Sequence, residues 1–153
     1  MLKTLNVRPM LMALAVAGAV GGAGSAWAGA LPPVHTQGQV AYLSGGVGQQ
    51  EAKSIEAAAA RWPVMLEFAV KDTDTKRDAF LTNVSVQIID KAHSMVLDTK
   101  SEGPFVLARL QPGQYTVKAT FDGKTMERTL NVAGKGTARE IFVWPHGAEK
   151  VNS

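Results

Sequence analysis

The chain of 153 residues contains no cysteine. Disulfide bonds, thiol nucleophiles, thiolate metal sites and iron–sulfur clusters are therefore excluded. A domain without covalent crosslinks must be held together by its hydrophobic core. The composition suits this, because 46% of the residues are hydrophobic.

The chain also has only a small excess of charge of one sign, because 16 Lys and Arg residues stand against 13 Asp and Glu residues. Once Lys3 and Arg8 are removed with the leader predicted below, 14 basic residues remain against those 13 acidic ones. No basic cluster carries interleaved aromatic residues, so nucleic acid is not expected as a partner. The three histidines, His35, His93 and His146, show no H-x-H or H-E-x-x-H spacing. We predict no metal site and no cofactor; His35 and His146 would meet only if leader and tail are neighbours.

Residues 1–28 have the pattern of a secretory signal peptide. Lys3 and Arg8 form a positive start, Met10–Val20 is apolar, and Ala26–Ala28 is an A-x-A cleavage site. The apolar run is too short for a spanning helix, which needs about 20 residues, although an uncleaved anchor is the alternative. We predict cleavage after Ala28, a periplasmic or secreted protein, no remaining membrane span and, without cysteine, no lipoprotein anchor.

The remaining chain is predicted to form one domain over 49–145, between a flexible leader (29–48) and a polar tail (146–153). The leader is rich in Gly and Pro, and only 39–43 suggests a short edge strand. Its Ser44–Gly48 stretch precedes a helix, as phosphate-binding loops do. It lacks the Gly-Lys-Ser/Thr ending, and a close-packed or flexible lead into the helix is the favoured interpretation.

Residues 49–61 consist of strong helix formers, with acidic residues early and Arg61 at the end. Ile55, Ala58, Ala59 and Trp62 fall at helical spacing and form one apolar face. Pro63 ends the helix. Because a short helix of small apolar residues is marginal alone, we expect this face to pack on a sheet.

From residue 64 onward apolar residues recur at every second position, which predicts β-strands. About seven strands are expected, over 64–70, 84–88, 95–97, 105–107, 115–121, 126–132 and 141–144. Asp122-Gly123 marks a two-residue hairpin. The pattern predicts an antiparallel β-sandwich, with a small closed barrel as the alternative.

The last predicted strand is apolar on both faces, with Ile141 and Val143 on one and Phe142 and Trp144 on the other. We therefore expect it to be covered on both sides, by the 49–61 helix or by a partner. Exposed edge strands can also pair between copies of a chain. The oligomeric state is left open by the sequence.

The sequence motif at the centre of the domain is a strand, a Pro-Gly turn and a second strand. It consists of Gly103, Phe105, Leu107, Leu110, Pro112, Gly113, Tyr115 and Val117. This motif resembles the signature of carboxypeptidase regulatory-like domains, and the resemblance extends over 64–144. It implies a Greek-key, prealbumin-like (transthyretin-like) sandwich of seven strands that acts as an accessory, binding or structural module without catalytic residues. The apolar members are interpreted as core, and Tyr115 as a corner residue whose hydroxyl bonds to upstream backbone.

Three functions follow as hypotheses. The leading one is an exported, non-enzymatic module that binds a protein or an envelope component. Starch-binding-like domains of similar topology bind carbohydrate on exposed aromatic side chains, for which Trp62, Trp144 and Tyr42 are the candidates. A transthyretin-like hydrolase is the third, and it would need His and Arg side chains in one cleft.

Two arginines and one acidic loop complete the candidates for binding. Arg109 and Arg128 interrupt apolar strand faces. They are possible surface-binding residues together with Trp62 and Trp144, although pairing with a carboxylate is the favoured interpretation. The carboxylates between Asp72 and Asp78 have some of the spacing of a Ca²⁺ loop, but the interleaved basic residues favour a solvated loop.

Overall fold

A computed structural model of the chain describes residues 31–72 and 77–145. The predicted signal peptide, part of the Asp72–Asp78 loop, and the predicted tail with His146 lie outside these ranges. The described residues form an all-β sandwich with one short helix. The strands are β1 His35–Gln37, β2 Val40–Gly45, β3 Val64–Asp72, β4 Arg77–Phe80, β5 Ser85–Asp90, β6 Met95–Lys100, β7 Phe105–Ala108, β8 Gly113–Phe121, β9 Lys124–Val132 and β10 Ala138–Trp144.

The strands form two separate sheets, so the barrel alternative is wrong. Sheet A has the order β1-β2-β7-β3-β10, with β4 also paired to β3, and sheet B has the order β6-β5-β8-β9. All seven predicted strands are present. The described strand pairs are antiparallel except β3 with β10, which is parallel. The parallel pair arises because the chain returns from β9 in sheet B and enters sheet A beside β3, where the Ala138 N–H donates to the Pro63 carbonyl.

The prediction of a flexible leader is wrong for residues 35–45, which form β1 and β2. Nor is β2 an edge strand, because it pairs with β1 on one side and with β7 on the other. Its apolar residues do not alternate because both of its faces are covered. Val40 and Tyr42 contribute to the core between the sheets, whereas Leu43 lies beneath the helix.

The main core lies between the two sheets and confirms the predicted inward faces. Sheet A contributes Val64, Leu66, Phe68 and Val70 from β3, together with Phe142 and Trp144 from β10. Sheet B contributes Val86, Ile88, Tyr115, Val117 and Ala119. The Asp122-Gly123 hairpin is also confirmed: both residues have positive φ, 52° and 78°, as a type I′ turn requires.

A second core lies on the outer face of sheet A. Helix α1 spans Gln49–Ala58 and continues as a 3-10 turn over Ala59–Arg61, so the predicted 49–61 helix is confirmed. It buries Ile55, Ala58, Ala59 and Trp62 against Leu43, Met65, Phe105 and Leu107. The motif residues Phe105 and Leu107 thus face the helix, and it is Val106 and Ala108 that face the core between the sheets.

Candidate functional site

The motif around Tyr115 has a structural role. The Tyr115 hydroxyl donates a 2.6 Å hydrogen bond to the carbonyl of Gln111, four residues upstream. Burial, and secondarily the negative charge of Asp90, raise the pKa of this hydroxyl above its ordinary value. Leu110 and Val117 lie in the core between the sheets, while Pro112 and Gly113 are exposed in the connection to β8. The hydroxyl therefore joins β8 to the preceding loop.

The two tryptophans that were candidates for a carbohydrate platform are buried. Trp62 is 6% exposed and Trp144 is fully buried. The Trp144 indole N–H donates to the Lys124 carbonyl at 2.9 Å. Tyr42 faces inward and its hydroxyl accepts a 3.3 Å hydrogen bond from the Thr99 hydroxyl. The two tryptophans therefore do not form an exposed platform for a sugar, and Tyr42 is partly buried.

Arg109 and Arg128 both contact aromatic rings. The Arg109 guanidinium lies 4.2 Å from the centre of the Trp62 ring and covers it. Arg128 faces inward from edge strand β9, lies over Phe142, and places its Nε 3.8 Å from a Glu140 carboxylate oxygen. Because Glu140 belongs to edge strand β10, this pair closes one side of the sandwich.

The histidines of the described residues lie in different sheets. His35 is on β1, at the edge of sheet A, and His93 is in the β5–β6 turn of sheet B. His93 borders a groove of about 390 Å³ on sheet B. The described lining of that groove includes Lys91 and Lys118 but no second histidine and no arginine. It does not provide the His and Arg cluster that the hydrolase hypothesis needs.

Residues 44–46 of the Ser44–Gly48 stretch are close-packed, whereas Val47 and Gly48 are exposed. A Cβ on Gly103 would fall on the carbonyl group of Gly45, and one on Gly46 would meet the ring of Phe105. The Gly46 N–H, which a phosphate would need, donates instead to a Glu51 carboxylate oxygen at 2.8 Å. The Glu51 carboxylate therefore lies at the start of α1, at the position where a bound anion would have to lie.

The outer face of sheet A is only partly covered by α1. The strand register places its side chains in three rows across the sheet. The rows are Leu43-Leu107-Met65-Arg139, Gly45-Phe105-Glu67-Ile141 and Phe80-Ala69-Val143. The helix packs on Leu43, Leu107 and Met65 of the first row and on Phe105 of the second, and no residue of β10 or of the third row belongs to this second core.

The uncovered part of this face contains an apolar patch beside the exposed Arg139 of β10. This patch, which we call the outer patch, consists of Phe80, Ala69, Val143 and Ile141. Phe80 is 57% exposed and Ile141 is 54% exposed. Ala69 is buried between Phe80 and Val143, its register partners on the two neighbouring strands. Within residues 31–72 and 77–145 the helix does not provide the expected cover for this face of the last strand, because it packs elsewhere, and cover by a partner stays a prediction.

Strand β10 also has a free backbone edge. The Ala138 N–H donates to Pro63 across the parallel pair, and the register continues as Glu140↔Leu66, Phe142↔Phe68 and Trp144↔Val70. Since backbone groups alternate between the two sides of a strand, the N–H and C=O groups of Arg139, Ile141 and Val143 point away from β3. No other described strand pairs with this side.

Two other edge strands, β6 and β9, are protected or polar. The Gln37 side-chain amide donates to the Asp98 carbonyl at 2.9 Å and accepts from the Asp98 N–H at 2.7 Å. It thereby occupies the outer edge of β6 as a neighbouring strand would. On β9 the outward residues are Thr125, Glu127, Thr129 and Asn131, all polar and exposed. Strand β10 is unusual in combining an open edge with an apolar outward face.

Neither the scan against protein-family models nor the search of curated proteins finds a match for this chain. The resemblance to carboxypeptidase regulatory-like domains stays a prediction. Among the helices of residues 31–72 and 77–145, none has the length and hydropathy needed to cross a membrane.

Proposed function

We propose that this chain is an exported, non-enzymatic binding module that recognises another protein through the outer patch. The observation that carries the proposal is the 57% and 54% exposure of Phe80 and Ile141 on one sheet face. A contiguous patch of exposed apolar side chains, as distinct from single exposed ones, is typical of sites that contact another macromolecule. The location in the cell envelope rests on the predicted signal peptide.

Two further observations support a binding role over catalysis. The Tyr115 hydroxyl, whose pKa is raised by burial, is engaged by the Gln111 carbonyl and closes a structural corner. The candidate arginines lie against aromatic rings, Arg109 on Trp62 and Arg128 on Phe142. These side chains stabilise the sandwich. In the outer patch Phe80 also packs on the Phe105 ring, at 5.7 Å between ring centres, but it and Ile141 leave more than half of their surface exposed.

The proposal is tested by affinity capture from an envelope extract of the cells that make the protein. The wild-type chain, Ile141→Lys and Phe80→Lys are immobilised, and Thr129→Lys on the exposed outer face of β9 serves as the matched control. We expect the wild type and Thr129→Lys to retain the same protein, and both patch variants to lose it. Equal retention by all four would refute binding through the outer patch, and no retention by any would refute the proposed function.

A further inference from the structure

We infer that the free edge of β10 pairs with the β10 edge of a second copy, in an antiparallel arrangement about a two-fold axis at Ile141. This inference rests on the proposed function in using the same outer patch. Strands β10 and β9 each pair on one side only among the described strands, but β10 presents the exposed apolar Ile141 whereas β9 presents polar residues. Strand β10 leaves the N–H and C=O groups of Arg139, Ile141 and Val143 without a neighbouring strand, whereas Gln37 occupies the edge of β6.

The sequence of β10 is self-complementary in one register. With Ile141 opposite Ile141 of the second copy, Arg139 lies opposite Val143, and Glu140 lies opposite Phe142. No like charges face one another across the pair, and cross-strand apolar contacts stabilise a sheet. The three residues with outward backbone groups then meet their counterparts and form hydrogen-bonded pairs along the new edge.

The neighbouring registers are less favourable. A shift of the axis to Glu140 would place the two Glu140 carboxylates opposite each other, which destabilises a sheet. A shift to Phe142 would place Arg139 opposite Pro145, which has no N–H to donate. Register is therefore specified by the charge at one end of the strand and the proline at the other.

Charge and surface also favour a second copy as the occupant. The net charge of the whole chain is only +3, so long-range repulsion between copies is weak. Pairing would extend sheet A across the axis and join the Ile141 and Val143 side chains of the two copies into one apolar strip. The outer face of β9 is polar at Thr125, Glu127 and Thr129, and it provides the contrast for the test.

The absence of cysteine allows a direct test by disulfide trapping. In a hydrogen-bonded antiparallel pair the Cα atoms lie about 5.5 Å apart, within the range of about 4.4–6.8 Å that a disulfide spans. The protein is expressed from its full coding sequence and oxidised gently. We expect Ile141→Cys to form a covalent dimer and the matched control Thr129→Cys to stay monomeric.

The register is tested by mixing two variants. Arg139→Cys and Val143→Cys should each trap little dimer alone, and their mixture should trap a heterodimer, because the axis at Ile141 places position 139 opposite position 143. Efficient trapping of Arg139→Cys alone would overturn this register. Circular dichroism and a thermal melt of each reduced variant show that the fold is intact.

Self-association is measured independently by sedimentation equilibrium over a wide concentration range. We expect a reversible dimer for the wild type and for Thr129→Lys, and a monomer for Ile141→Lys. A wild type that is monomeric throughout, with no trapping at position 141, would overturn the inference. The capture experiment for the proposed function would not be affected by that result. Conversely, dimerisation without capture would refute the proposed function alone.

Discussion

Removing the Tyr115 hydroxyl tests whether the central motif acts as a corner that supports the sandwich. The substitution Tyr115→Phe deletes one 2.6 Å hydrogen bond to the Gln111 carbonyl and leaves the ring in place. An intramolecular hydrogen bond contributes about 1 kcal/mol to stability. In a domain of this size we expect the melting temperature to fall by about 4 °C. The Tyr42→Phe variant, whose hydroxyl contact is longer at 3.3 Å, is the matched control and should lose less.

The pH dependence gives this prediction a second readout. The pKa of the Tyr115 hydroxyl is raised in the folded chain, chiefly by burial, so above about pH 10 the unfolded chain releases this proton first. The stabilisation from the protonated hydroxyl is therefore complete below that pH and is lost as the pH rises through the folded-state pKa. In urea unfolding, the stability gap between wild type and Tyr115→Phe should be constant at neutral pH and narrow above pH 10. A gap near zero at neutral pH, or one that widens in alkali, would refute the corner role.

Four other substitutions, two of them combined in a double-mutant cycle, test the packing of the sandwich. Gly103→Ala should destabilise the chain by about 2 kcal/mol in urea unfolding, because its Cβ would meet the Gly45 backbone; wild-type stability would show that the close approach is wrong. Ile55→Ala removes a fully buried anchor of α1 and should cost about 3 kcal/mol, and a loss below 1 kcal/mol would mean that the helix is not docked. A double-mutant cycle of Arg128→Met and Glu140→Gln should give a coupling of about 0.5 kcal/mol, since both partners are partly exposed; a coupling above 2 kcal/mol would contradict this.

The sheet framework could be predicted because alternation survives where one strand face is buried and the other is not. Tyr115, Val117 and Ala119 on β8 show this clearly, as do Val86 and Ile88 on β5. Strand β2 could not be predicted in the same way, because Leu43 faces the helix while Val40 and Tyr42 face the core. Burial of both faces removes the period of two from the sequence.

Sequence reasoning could predict only part of the outer patch, namely Ile141 and Val143 on β10. The two-faced apolar pattern of 141–144 predicted that something covers Ile141 and Val143, and the helix was one candidate. Only the register shows that α1 packs over Met65 and Phe105 instead. Phe80 carried no signal, because a single apolar residue after a charged loop shows no periodicity. Its place in the patch comes from its pairing with Ala69 on β3.

The burial of Trp62 and Trp144 depended on contacts between distant segments. Trp62 lies beneath Arg109, which follows β7, and the Trp144 indole reaches the Lys124 carbonyl at the start of β9. The periodic patterns already place Trp62 on the apolar face of the helix and Trp144 beside Phe142 on a strand face expected to be covered, and the structure buries both. The carbohydrate hypothesis rested on these two side chains, and the fold uses both for packing.

Photo-crosslinking in living cells tests the central claim, that the outer patch contacts another protein, most directly. A photoreactive phenylalanine analogue is placed at position 80, 141 or 127, the last being the exposed Glu127 on the outer face of β9. We expect covalent adducts from positions 80 and 141 and none from 127, and the mass of each adduct distinguishes a second copy from a different protein. Absence of adducts at 80 and 141, or equal adducts at all three positions, would contradict the assignment of the outer patch as a binding surface.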